Sequence, residues 1–149
     1  AGTGELKWDT SYPGLNIRGT DLSPLDGSHG EQWQHPVIAG NTIYSRPYAF
    51  ALDSGKKLDY IAYRGGHGCG GLTGSVHYLY GRGSNPRMYP METEQTEGIR
   101  LTHVSRPGCW LNIIPVGGLI LIPESSSGCT CAYPLQTSLA FVPKALSGL

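Results

Sequence analysis

The chain has 149 residues, a formal net charge of +0, 15% charged residues, 22 glycines and 11 prolines. Such a length fits one domain with a modest core, and the even charge balance gives no broad electrostatic footprint for DNA, RNA or an anionic membrane. Glycine and proline both oppose helix interiors, and the longest apolar run, Leu119-Ile-Leu-Ile-Pro123, is far too short to span a bilayer.

In chain order, Glu5-Leu-Lys-Trp8 alternates in polarity and is predicted as a short strand. Residues 10–34 carry repeated proline and glycine and are predicted as a long loop-rich connection. Three strands then follow closely. Pro36-Val-Ile38 and Thr42-Ile-Tyr44 flank the turn Ala39-Gly-Asn41, and Tyr48-Ala-Phe-Ala-Leu52 runs into the turn Asp53-Ser-Gly55. Leu58–Tyr63 continues the pattern, and a glycine-rich break at 65–71 separates it from a strand over Ser75–Tyr80. Met91–Gly98 is polar on every face and ends in glycine, so it reads as solvated loop. Trp110–Ile114, Leu119–Ile122 and Ser138–Val142 supply the last strands.

Gly68-Cys69 and Gly128-Cys129 stand 60 positions apart, each a similar distance ahead of a strand. This echo and the strand spacing predict an all-β, mostly antiparallel fold, either a sandwich or repeated four-stranded blades. The four cysteines, Cys69, Cys109, Cys129 and Cys131, lie beside glycine or threonine and not inside apolar runs. Disulfides are therefore expected ahead of buried free thiols or a structural zinc. One residue between Cys129 and Cys131 makes their mutual bridge the least favourable, so Cys109 is expected to pair with one of them and Cys69 with the other. Disulfides in turn imply an extracytoplasmic location, periplasmic or extracellular.

Several segments resemble a known family. Gly4-Glu-Leu-Lys-Trp8 and Tyr48-Ala-Phe-Ala-Leu-Asp-Ser-Gly-Lys56 resemble the blade repeat of pyrroloquinoline-quinone-like (PQQ-like) β-propellers, where a strand ends in an Asp-x-Gly turn. His35–Tyr44 is similar to the strand pair before that turn. His67-Gly-Cys-Gly70, Arg106-Pro-Gly-Cys-Trp110, Pro123–Cys131 and Gln136–Ala140 resemble the carboxy-terminal region of such bacterial, planctomycete-like proteins. The resemblance covers nearly the whole chain, 1–149, and is most specific over 106–143. It implies antiparallel propeller-type blades. A blade takes about 40 residues, so the chain supplies roughly three to four, a partial propeller or a fragment of a larger one. The implied partners are the remaining propeller blades, another polypeptide or copies of the chain itself.

Chemistry is harder to place. His67 and His77 come nearest to a metal-ligand spacing, but the intervening glycines break any strand that would hold both on one face, so no metal ligand is assigned. His67, flanked by glycine, is the better candidate for ligand contact. Active relatives of the resembled family hold PQQ by aromatic stacking, with Ca²⁺ and an Asp base beside it. That chemistry would fall to Trp110 for stacking and to Glu124 or Asp53 for a carboxylate, although the chain has no adjacent cysteine pair. No Gly-x-Ser-x-Gly elbow or phosphate loop is present, and no catalytic residue is assigned. Trp33 and seven tyrosines between 44 and 89 lie beside glycine-rich loops, as a surface for glycan or protein would require. The expected function is thus a structural or binding module of a larger propeller assembly. A PQQ- and Ca²⁺-dependent oxidoreductase is the alternative, and the question of enzyme activity stays open.

Overall fold

A computed structural model describes residues 2–8, 36–45, 48–61, 71–83, 85–93, 98–108, 113–124 and 135–144. Among the described residues there are eleven strands and no α-helix. The first sheet is a meander of β1 (Val37–Ala39), β2 (Thr42–Ser45), β3 (Tyr48–Ala51) and β4 (Lys57–Ile61). The second repeats that order with β5 (Thr73–Gly74), β6 (Tyr78–Gly83), β7 (Asn85–Pro90) and β8 (Ile99–Arg100). The third consists of β9 (Ile114–Val116), β10 (Leu119–Ile122) and β11 (Leu139–Phe141), with β10 in the middle. Every pairing within the sheets is antiparallel.

Local chemistry sets the turns. Gly40-Asn41 joins β1 to β2 with Ala39 opposite Thr42, a two-residue hairpin loop. After β3, the Ala51 carbonyl accepts from Gly55 N–H and the Lys56 carbonyl accepts from Ala51 N–H, both at 2.9 Å, closing the Asp53-Ser-Gly55 turn. Between β5 and β6, Ser75 Oγ accepts from the Tyr78 N–H at 3.3 Å while Ser75 N–H donates to the Tyr78 carbonyl at 2.8 Å. Gly117 and Gly118, at φ +56° and +79°, form the turn between β9 and β10; positive φ at both central residues is the requirement of a type I′ hairpin.

The sheets stack face to face in chain order. Strand alternation divides the second sheet into two apolar faces. Leu79 and Tyr89, both fully buried, join Tyr44, Ala49 and Leu72 in a cluster against the first sheet. The opposite face presents Tyr78, Tyr80 and Met88 to Ile113, Ile120, Ile122, Leu139 and Phe141 of the third. Tyr44 and Tyr60 meet edge to face across the first sheet, with ring centroids 5.3 Å apart. The first strands of successive sheets are neighbours, β1 beside β5 and β5 beside β9. Thr73 Oγ1 on β5 donates to the Ile113 carbonyl at 2.8 Å, pinning the second sheet to the third at that line of contact.

Several expectations are corrected. No disulfide bond is present among the described residues, and Cys69, Cys109, Cys129 and Cys131 lie outside them. Among the described residues the sheets are held by ladder hydrogen bonds and two apolar clusters. Glu5–Trp8 forms no strand; instead the Trp8 indole N–H donates to the Leu52 carbonyl at 2.9 Å. The repeat is not the 60-residue echo: first strands begin at 37, 73 and 114, steps of 36 and 41 residues. The strands expected after the two Gly-Cys pairs correspond to β6, second in its sheet, and β11, third in its own, and the short β5 intervenes before β6. The 10–34 connection falls outside the described residues. Among the described residues no sheet closes on itself as a propeller or barrel.

Candidate functional site

Of the residues singled out for ligand contact, His67, Trp33 and Trp110 lie outside the described residues. The other two occupy different sheets. His77 sits exposed in the turn before β6, where Met91 N–H donates to its carbonyl at 2.9 Å and its Nδ1 is 3.6 Å from Glu92 Oε1. That pair attracts only when the imidazole carries its proton, and solvent screens it. Glu124 follows β10 at the surface, its backbone N–H donating to Ser138 Oγ at 3.0 Å. Asp53 is exposed in the β3–β4 turn.

Among the described residues, no group of side chains that could hold a quinone or Ca²⁺ comes together. The carboxylates of Asp53 and Glu124 belong to the first and third sheets, and no third acidic, histidine or cysteine side chain joins either among the described residues. No catalytic step is derived through such a cofactor.

The described tyrosines divide by burial into two groups. Tyr44, Tyr80 and Tyr89 are buried between sheets and present no ring to solvent. Burial holds the Tyr44 hydroxyl above the ordinary tyrosine range, partly offset by its hydrogen bond with Thr42. Tyr48, Tyr60 and Tyr78 are half-buried. The Tyr48 ring is already occupied, with Phe50 at its edge and Lys57 Nζ 4.2 Å from its centroid. Tyr78 lies tilted against Tyr80, with centroids 6.4 Å apart. The flat, open aromatic platform that glycan binding requires is therefore not formed by the described tyrosines.

Sequence reasoning missed two features. Arg82 and Arg106 are almost completely buried, although arginine in a glycine-flanked hairpin or a Pro-Gly segment reads as surface; both are engaged in further interactions. The second feature is the outer face of the third sheet. Register places Ile114 opposite Leu121 and Val116 opposite Leu119, on the side away from the second sheet. Ile114 is 42% exposed and Val116 51%. This face carries no charged or hydrogen-bonding side chain in β9 or β10, so it can bind only by excluding water. Its sequence signal was available: β10 is apolar at every position, the pattern of a strand covered on both sides.

Comparison with family models, with curated proteins and with solved structures gives no match to this chain. Among the described residues no helix is long and apolar enough to cross a membrane.

Proposed function

We propose that the chain is a structural and protein-binding module whose sheets are blades of a larger propeller-type assembly, as the resemblance to PQQ-like propellers implies. The observation that carries this reading is the stack itself: meander sheets follow one another, their first strands side by side, and the last presents the exposed aliphatic side chains of Ile114 and Val116 on its outer face. Four-stranded meanders repeated about every 40 residues with adjacent inner strands are how propeller blades succeed one another around an axis. An aliphatic face without rings or polar groups favours a protein partner over a glycan.

Two measurements test it. Electron microscopy of the assembled particle should show sheets radiating around a central axis; a flat two-sheet sandwich or a linear stack would overturn the blade reading. A glycan panel should yield no saturable binding, whereas saturable binding lost on Tyr48→Ala or Tyr78→Ala would overturn the choice of protein over glycan.

A further inference from the structure

Two hairpins of this chain share one geometry. In the first sheet Val37 lies opposite Tyr44 and Ala39 opposite Thr42; in the third, Ile114 lies opposite Leu121 and Val116 opposite Leu119. Gly40 and Gly117, at φ +57° and +56°, open the two-residue turn in each. Ile114, Val116 and Leu121 therefore occupy the positions of Val37, Ala39 and Tyr44. Those residues of the first sheet are the ones that pack against Leu72, Leu79, Tyr89 and Met91, ahead of them in the stack. Their counterparts in the third sheet face the same way along the series. Among the described residues no following sheet meets them, and Ile114 and Val116 stay exposed.

We infer that this face binds a further antiparallel sheet, from outside these 149 residues and not from a second copy of them, whose first strand carries glycine or alanine where it lies against Ile114. The inference rests on the blade reading above and specifies the partner's surface. Its ground is continuity with the junctions already formed, where β1 lies beside β5 and β5 beside β9. At the first junction Val37 Cγ1 stands 2.6 Å from the place a β-carbon on Gly74 would take, a β-branched side chain set on bare backbone. At the second, Thr73 of β5, also β-branched, reaches the Ile113 carbonyl at 2.8 Å, and so meets main chain again. Ile114 and Val116 are β-branched and stiff, so the strand that follows them must supply the gap. No charged or hydrogen-bonding side chain stands on β9 or β10, so the residues that cover this face carry no charge. A second copy does not fit. Its Gly74 is already closed over by its own Val37, and the outer face of its first sheet sets Lys57 opposite Phe50. Two third-sheet faces laid together would oppose β-branched residues with no gap between them.

Photocross-linking in the assembled particle is the test, with a diazirine side chain introduced at Val116 of the full chain. The expected adduct falls on a strand that opens an antiparallel hairpin, beside a glycine or alanine. Ile114→Asp should lower its yield by roughly tenfold or more, since the junction would then bury an unpaired charge, and Ile114→Val should leave the yield unchanged. The identity of the adduct in the otherwise unaltered chain decides the matter even where Ile114→Asp impairs folding. An adduct with a second copy of this chain would overturn the inference, as would a partner strand with a bulky residue at the contact. Both results leave the blade reading standing if microscopy shows sheets around an axis. An adduct on a helix or loop, or no adduct at all, would also overturn the inference, and would remove the blade reading with it where that axis is absent.

Discussion

A β-carbon on Gly74 would stand 2.6 Å from Val37 Cγ1, so glycine at this position lets the first strand of the second sheet lie against that of the first. Val37 is β-branched and cannot swing its methyl aside at low cost. Gly74→Ala should therefore destabilise the fold by roughly 1–3 kcal/mol, the usual range for overpacking. Combining it with Val37→Ala should return part of that loss, with a coupling of about 0.5–3 kcal/mol. Urea unfolding of the two single variants and the double checks this; strict additivity would show that the two residues do not meet.

Gly98 and Gly117 share a left-handed backbone, at φ +66° and +56°, but differ in surroundings. A β-carbon at Gly98 would fall 2.6 Å from the Tyr89 ring and 3.1 Å from the Met88 carbonyl, whereas none lies within 4 Å at Gly117. Gly117→Ala should cost only the conformational penalty, about 1–2 kcal/mol. Gly98→Ala should add roughly 1–3 kcal/mol of overpacking against a fully buried ring. Equal midpoint shifts in denaturant would contradict the placement of the Tyr89 ring against Gly98.

The parts of this fold that could be read from sequence are those where side-chain alternation and turn chemistry agree. Ala39-Gly-Asn41 and Asp53-Ser-Gly55 bracket β2 and β3 at nearly the predicted boundaries, and Leu119–Ile122 is β10 without change. What escaped is instructive for physical reasons. β7 contains Pro86 and Pro90, which argue against a strand flanked on both sides, yet β8 pairs with it only at Arg87 and Met88, between the two prolines. β5 and β8 have two residues each, too few for any period to register. Proposed ligand contacts such as His67 and Trp110 fall in glycine- and cysteine-containing segments, where local sequence constrains backbone geometry least, while His77 lies in the turn before β6 and Glu124 beyond the end of β10, bonded to Ser138. The aliphatic outer face, by contrast, is written plainly in the unbroken apolar run of β10.

Thr73 offers a direct probe of the junction between the second and third sheets. Its hydroxyl donates to the carbonyl of Ile113, a residue with no solvent exposure. Thr73→Val keeps the shape and removes the donor, leaving that carbonyl without the bond. The expected cost is about 1–3 kcal/mol, the desolvation penalty of a buried acceptor. Amide exchange should accelerate in β9 and β10 before β2 and β3. A change below about 0.5 kcal/mol, the scatter of ordinary surface substitutions, would show that the hydroxyl does not hold the sheets together.

Alkaline pH supplies the last prediction. Burial raises the Tyr44 hydroxyl above its unfolded value of 10.0, because ionisation inside the apolar cluster would leave a charge out of water. The folded state therefore keeps this proton at pH values where the unfolded chain has begun to release it. The corresponding stability is intact below about pH 10 and is lost as pH rises through the folded-state value. Tyr44→Phe removes the ionisable group while preserving the ring that meets Tyr60 edge to face. The variant should lose less stability than wild type over this alkaline interval, measured by denaturant unfolding at successive pH values, with the two curves running parallel at neutral pH. Curves that stay parallel throughout would place the Tyr44 hydroxyl in solvent and not in the cluster between the first and second sheets.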